Sequence, residues 1–319
     1  MEIFFGIDVG KFTLDVHASA VDQSFSVNND QAGLKELAKK MNDYLKDGHD
    51  IKLVVCEATG GYERQLVNFL KAQNAPVHVA HANKVRNFAK ATGKFAKTDK
   101  LDAKILSDYA RVFQPKPKPD IHTISEDLQL LKDLQTRRKQ LLDNLTKEKN
   151  RLDKNINKDL AKSINRHIIW LKRELKTVGQ DIDKFIAEHD AVKTQVDLIA
   201  SIPGVGQITA VVILTDLPEI NTVTDKQLSS LTGLAPINRD SGTKSGKRHI
   251  TGGRANVRTA LYMATIASIK FNHLIKEFYQ RLRAKGKPAK VAIVAAMHKL
   301  LMIIKSIINR QTGWIENMQ

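Results

Sequence analysis

Four carboxylates and one serine have the types and spacing that phosphoryl-transfer chemistry requires. Asp8 falls inside an apolar run, Ile3-Phe-Phe-Gly-Ile-Asp-Val9, where an unpaired buried carboxylate is costly and therefore calls for a role. Glu57 directly follows a second apolar run, Ile51 to Cys56. Asp99 and Asp102 stand three apart in a segment that Thr98 can cap as a helix, so both lie on one helix face. Four acids in one pocket repel one another, and a pair of Mg²⁺ ions is the usual relief. Two such ions activate an attacking oxygen and stabilise a leaving one in phosphodiester chemistry. Taken singly, Glu57 also fits a solvated loop acid, and Asp99 and Asp102 fit acids that complement a helix N-terminus. Pattern alone leaves Asp15 and Glu63 as further candidates.

A second constellation is the Gly-rich, basic loop from Leu234 to Arg254. Between Asn238 and Arg258, six basic residues (Arg239, Lys244, Lys247, Arg248, Arg254 and Arg258) face a single acid, Asp240. Ser241 sits among them. A serine attacking phosphorus needs cations that hold the scissile phosphate and neutralise the developing charge. Asp-Ser-Gly is also a common turn sequence, and Ser245 and Thr243 are equivalent candidates on chemistry alone. His249 could serve as a base or as a phosphate contact. Upstream, Ile202-Pro-Gly-Val-Gly206 matches the hairpin of a helix-hairpin-helix element, in which Gly204 and Gly206 expose backbone N–H groups to a phosphate. The structural alternative is a turn that starts the apolar helix Ile208 to Leu214.

The elements that must position these groups follow from the apolar pattern. Residues 3–9, 13–19 and 24–28 read as a three-stranded meander, Asn29-Asp30 caps a helix to about Lys46, and a nearly all-apolar fourth strand spans Ile51 to Cys56. A helix from Tyr62 to Ala72 and a fifth strand, Pro76 to Ala80, complete an RNase H-like order. From His81 to Lys118 the chain carries ten basic residues and three acids, and Pro115-Lys-Pro-Lys-Pro119 reads as a stiff linker. Ile164, Ile168, Leu171, Leu175, Val178, Ile182 and Phe185 form a heptad seam in a charge-rich helical region, so a helical hairpin or coiled coil is expected there. The alternative is two helices packed on the catalytic domain. The remainder is nearly all α, with helices expected over 254–272, 274–284 and 288–309.

The chain has 319 residues and a formal net charge of +17, which points to a polyanionic partner, nucleic acid first. A membrane surface ranks below, because the cations are spread along the chain. The single cysteine, Cys56, excludes an intrachain disulfide and a cysteine zinc cluster, and fits a reducing cytosol. Ile3 to Val9 lacks the basic leader of a signal peptide, and Val291 to Ile308 carries His298, Lys299 and Lys305, so a buried helix is expected there and the cytoplasm is the expected location.

Five motifs carry a family resemblance: Gly6-Ile-Asp-Val-Gly-Lys11, Cys56-Glu-Ala-Thr-Gly-Gly-Tyr62, Lys97-Thr-Asp-Lys-Leu-Asp-Ala103, Ile202-Pro-Gly-Val-Gly206, and Ser241-Gly242 with Gly253-Arg-Ala-Asn-Val-Arg-Thr-Ala-Leu-Tyr-Met263. In this order, over nearly the whole chain, they resemble the DEDD-type insertion-sequence transposases, the bridge-RNA-guided recombinases whose relatives include site-specific DNA invertases. The resemblance implies a RuvC-like catalytic domain over 1–114 with Asp8, Glu57, Asp99 and Asp102 as a tetrad for Mg²⁺. It implies a linker over 115–123, a coiled coil over 124–195 that supports dimers and tetramers, and a C-terminal transposase domain over 196–319. It picks Ser241 as the nucleophile that joins covalently to DNA, pairs the carboxylates of one subunit with the serine of another, and gives target and donor choice to a structured noncoding RNA. Many members have Ser where Gly10 stands here, beside a ligand position and not at one. Two other readings of the residues are a Mg²⁺-dependent nuclease of the Holliday-junction-resolvase kind and a non-catalytic architectural nucleic-acid binder.

Overall fold

Side-chain alternation along one central strand decides the layers of the N-terminal unit. The computed structural model describes residues 1–94, 98–116, 125–154, 157–238, 246 and 248–315, which divide into one compact unit within Met1–Asp120 and a second within Ile121–Gln319. The first runs β1 (Glu2–Val9), β2 (Thr13–Ala18), β3 (Gln23–Asn28), α1 (Gln31–Lys46), β4 (Asp50–Glu57), α2 (Glu63–Ala72), β5 (Val77–Ala80), α3 (Ala82–Ala91) and α4 (Asp99–Phe113). Its five strands lie in the order β3-β2-β1-β4-β5, antiparallel through β3, β2 and β1 and parallel through β1, β4 and β5. This mixed sheet is consistent with the RNase H-like order expected from the sequence.

Odd positions of β1, Ile3, Phe5, Ile7 and Val9, enter one core with Leu34, Leu37 and Met41 of α1 and Leu66 and Leu70 of α2. Even positions face the other way. There Phe4 joins Leu53 and Val55 of β4, Val85 and Phe88 of α3, and Ile105, Leu106 and Tyr109 of α4. Burial on both faces is why β1 and β4 read as nearly continuous apolar runs.

Gly6 is the even position that α4 crosses. A Cβ there would sit 2.1 Å from the Ala103 carbonyl oxygen and 2.3 Å from the Ser107 amide nitrogen, so the helix backbone rests directly on the strand. A polar bridge fixes the same helix to β2. His17 is buried, and burial pushes its ring below the usual histidine range. Its Nε2 lies 3.1 Å from the Asp22 carboxylate and its Nδ1 2.7 Å from the Ser107 hydroxyl of α4, which itself donates to the Lys104 carbonyl (2.9 Å). Lys104 of α4 also donates to Asp22.

The second unit holds α5 (Glu126–Leu152), α6 (Lys158–Glu188), α7 (Asp190–Ala200), α8 (Gln207–Asp216), α9 (Asp225–Thr232), a short antiparallel pair β6 (Pro236–Ile237) and β7 (His249–Ile250), then α10 (Ala255–Phe271), α11 (His273–Ala284) and α12 (Ala289–Arg310). α5 and α6 pair lengthwise, and Ile168, Leu171, Val178, Ile182 and Phe185 of the expected seam are buried. α5 also packs on α8, whose Thr209–Ile213 stretch is buried throughout, so the pair shares one core with the C-terminal helices. The linker expected over 115–123 falls largely outside the described residues.

α12 is long and apolar enough to cross a membrane by length and composition. In this fold it is a core helix, with Ala292, Ala296, Leu300, Leu301, Ile304 and Ile307 fully buried. Two of its polar groups bond inside the unit: His298 Nε2 pairs with Ser229 Oγ (2.8 Å), and Lys305 donates to the Val223 carbonyl and the Asp225 carboxylate (both 2.7 Å).

Two glycines give opposite expectations. Gly6→Ala, with only backbone to push against, should lower stability by about 1–3 kcal/mol. Gly179→Ala, in the interior of α6 with open space at its Cβ position, should raise it by about 0.5–1 kcal/mol. Urea unfolding of both variants checks the pair. A Gly6→Ala protein as stable as the wild type would remove this contact as the fixer of α4.

Candidate active site

Parallel pairing of β1 with β4 ends at Ile7–Cys56, so the next residues, Asp8 and Glu57, come up side by side at the carboxyl edge of the sheet. Both have the parity that faces α4. Thr98 accepts from the Leu101 amide (3.3 Å) and starts α4 there, which puts Asp99 and Asp102 in its first turn. Carboxylate oxygens of Asp8, Asp99 and Asp102 all lie within 4.8 Å of one another. Glu57 lines the same cleft of about 600 Å³, together with Thr59, Arg86, Lys90 and Lys94.

The electrostatics follow from that crowding. Burial, and then the charges of Asp102, Asp99, Asp15 and Glu57, push the Asp8 carboxyl up from 3.8 to about 6. The other two candidate acids have different work. Glu63 accepts from the Thr59 amide (3.1 Å), the Thr59 hydroxyl (3.0 Å) and the Gly61 amide (2.8 Å). Burial opposes its charge, but these hydrogen bonds outweigh it and hold the carboxyl below its usual range while shaping the turn after Glu57. Asp15 pairs across from Asp8 on β2 and accepts from the Ser26 hydroxyl. Three all-oxygen ligands this close on rigid elements, Asp8 and Asp102 half-buried and Asp99 exposed, are a donor set that suits a hard divalent cation.

In the second unit, Ser241, Thr243, Ser245, Arg239, Lys244 and Lys247 lie outside the described residues. Arg248 and His249 are exposed at the foot of the loop, His249 on β7. Arg254 and Arg258, which the sequence assigns to nucleic acid, are half-exposed and also bond within the unit. Both terminal guanidinium nitrogens of Arg254 donate to the buried Glu219 carboxylate, and Nη1 also reaches the Asp216 carbonyl at the end of α8 (2.6 Å). Arg258 Nη1 donates to the carbonyls of Gly252 (2.5 Å) and Thr232 (3.4 Å). Gly233 and Gly253 abut so closely that a Cβ on Gly253 would lie 2.2 Å from the Gly233 nitrogen. Gly204 is pressed against α10, where its Cβ would meet the Ser268 nitrogen at 2.4 Å, whereas Gly206 opens to space at the start of α8.

Sequence reasoning missed the cations of the acid cleft, Arg86, Lys90 and Lys94. Their signal was the i,i+4 spacing of Arg86, Lys90 and Lys94 along and just beyond α3, which otherwise reads as an ordinary solvated face.

Carboxylates converging beside a parallel strand pair, on a chain this basic, suit phosphoryl transfer in nucleic acids. Comparison with known proteins narrows the class. Residues 5–158 match a family model for transposases of the DEDD IS110 type, and residues 196–280 match that of the transposase IS116/IS110/IS902 family. The pilin gene-inverting proteins of Moraxella bovis and Moraxella lacunata are each 28% identical to this chain, over 327 and 329 residues that cover 96% of it and 96% of each relative. A 43.6 kDa protein of insertion element IS110 from Streptomyces coelicolor is 27% identical over 123 residues, 38% of this chain and 30% of that protein. The chain belongs to the IS110-type transposases and is a DNA recombinase.

Asp8 has a folded pKa above its unfolded value, so its contribution favours the fold below about pH 4 and is lost as pH rises through about 6. The rise corresponds to ~3 kcal/mol at full burial, and solvent screening of this half-exposed group reduces it to about 1 kcal/mol. Asp8→Asn should therefore raise the melting temperature of the metal-free protein by about 3 °C at pH 8 and leave it unchanged at pH 4. Scanning calorimetry in a chelating buffer at the two pH values checks this, and an equal effect at both would break the link to the carboxylate charge.

Proposed function

We propose that this recombinase cuts and rejoins DNA strands through an acidic centre of Asp8, Glu57, Asp99 and Asp102 and a serine nucleophile, Ser241. The observation that carries the reading is the approach of Asp8, Asp99 and Asp102 to within 4.8 Å of one another in a cleft that Glu57 also lines. The donor set fits Mg²⁺, and these four residues would hold it, as two ions by the family resemblance. Bound there, the metal supplies charge neutralisation and Lewis-acid polarisation of phosphoryl oxygens.

The chain's own residues do the rest. β1, β4 and the first turn of α4 hold the carboxylates at fixed spacing, so the scissile phosphate is met by a preorganised site. The Ser241 hydroxyl attacks phosphorus and forms a phosphoserine ester with one strand end, while the P–O bond to the other end breaks and that end leaves as a free hydroxyl, taking up the proton. Attack of a strand hydroxyl on the phosphoserine then rejoins DNA and releases the serine, without net hydrolysis. Arg239, Lys244, Lys247 and Arg248 neutralise the phosphate there, while Arg254 and Arg258 hold the stems of the loop. Gly206, and Gly204 behind it, offer backbone N–H groups at the start of α8 to a DNA phosphate.

The remaining assignments rest on the same resemblance. The RuvC-like domain ends near 114, the paired helices of 124–195 act as a coiled coil joining subunits into dimers and tetramers, and the transposase domain follows. An element-encoded guide RNA selects donor and target DNA by base pairing, in the cytosol, and the net charge of +17 suits a protein that holds both nucleic acids. Inversion, the reaction for which the Moraxella relatives are named, and transposition use the same strand exchange.

Denaturing gels of end-labelled DNA test the chemistry. Ser241→Ala should abolish a protein-linked DNA species while retaining DNA binding, and Asp8→Asn should abolish cleavage. An adduct that survives Ser241→Ala sinks the serine role, and free hydrolysed ends would favour the resolvase-like nuclease. Added Mg²⁺ should raise the melting temperature of the wild type and not of Asp8→Asn. Sequencing of copurifying RNA should return a transcript with loops complementary to the DNA ends; its absence would remove the guide.

A further inference from the structure

We propose that Arg86 and Lys90 form a phosphate-gripping wall of the acid cleft, holding the backbone of the DNA strand whose scissile phosphate is presented to Asp8, Asp99 and Asp102. The inference rests on the reading of that cleft as the strand-cleaving centre.

α3 is fastened by its apolar side. Val85 and Phe88 are buried against Tyr109 and Ala110 of α4 and against Leu53 and Val55 of β4, and the Phe88 ring meets Tyr109 edge-on at 5.7 Å. Arg86 and Lys90, four residues apart, share another side of the helix, with Cβ atoms roughly 5–6 Å apart, and both line the cleft. Ala82 and Ala89 beside them are small and leave the passage open.

Three cations line this cleft among the described residues, and they are not alike. Lys94 is bound to Asp108 of α4 at 2.5 Å and ties the end of α3 to that helix. Arg86 and Lys90 are exposed and make no ion pair among the described residues, although the Asp8 and Asp99 carboxylates line the same space. Cations that serve folding would be expected to take those partners.

The electrostatics of the substrate supply the reason. A polyanionic strand approaching four carboxylates is repelled along several phosphates, and cations bound at the acids relieve that repulsion only at the scissile one. Phosphates on either side need their own counter-charge, on a separate wall so that it does not neutralise the acids. The Arg86 guanidinium suits a bidentate grip on phosphate, and the Lys90 ammonium acts as a point charge. The contact reads backbone and not sequence, as positioning requires.

Fluorescence anisotropy with the full chain and a duplex DNA, in chelator and over a series of salt concentrations, tests the wall without needing activity. Arg86→Gln/Lys90→Gln should make the slope of log K against log salt shallower by about 1.8, at roughly 0.9 for each phosphate no longer neutralised. Arg86→Lys/Lys90→Arg should keep the wild-type slope. Lys84→Gln, on α3 but not on the cleft, should also keep it. The Gln pair should still show the Mg²⁺-dependent rise in melting temperature, which establishes an intact fold and acid centre. An unchanged slope in the Gln pair overturns the proposal. So does an equal change in Lys84→Gln, or a change seen with a matched RNA and not with DNA. A wild type that shows no Mg²⁺ response overturns the acidic-centre reading instead, and the slopes still decide the wall.

Discussion

The contact of α4 with Gly6 is the constraint from which the acidic centre follows. Two of the gathered carboxylates ride on the first turn of a helix and the others on the ends of strands, so their spacing is set by how close helix and strand backbones come. With no side chain at Gly6 the distance reaches its lower limit. The His17–Ser107 bridge and the Lys104–Asp22 pair then fix the helix against sliding along or rolling on the sheet. Apolar packing supplies the affinity between the layers, and these few polar contacts supply the register.

Charge is arranged in the opposite sense in the two described sites. The acidic centre concentrates like charge on rigid elements, and burial together with that crowding pushes the Asp8 carboxyl up to about 6. The foot of the serine loop places Arg254 and Arg258 against carbonyls and a buried carboxylate, where their charges stabilise local chain ends. A basic count along the sequence does not distinguish cations that bond within the unit, such as Arg254, from cations left exposed, such as Arg86 and Lys90 on α3.

Much of the first unit was legible because its signals are local. Strand boundaries, the Thr98 cap and the three-residue spacing of Asp99 and Asp102 depend on neighbours a few positions away, and Asp8 stood out because a carboxylate in an apolar strand has no structural use. What was not legible depends on partners distant in the chain. Glu219 is 35 residues from Arg254, and Ser107 is 90 from His17, so neither pairing leaves a pattern in a window of sequence. The i,i+4 cations of α3 look the same whether they face solvent or a cleft. For the hydroxyl nucleophile, residue chemistry left Ser241, Thr243 and Ser245 open, and only the family motif chose among them.

Strand parity has a consequence for aligning distant homologues. Gly6 and Asp8 must fall on the same face of β1, as Leu53, Val55 and Glu57 must on β4, because the pleat assigns faces in steps of two. An insertion or deletion of one residue between Gly6 and Asp8 would turn the carboxylate into the opposite core, whereas length changes in the turns between elements leave it in place. β4 already accommodates one extra residue, Lys52, opposite the Ile3–Phe4 step, so at identities near 28% it is gaps between Gly6 and Asp8 or between Leu53 and Glu57 that would misplace a carboxylate.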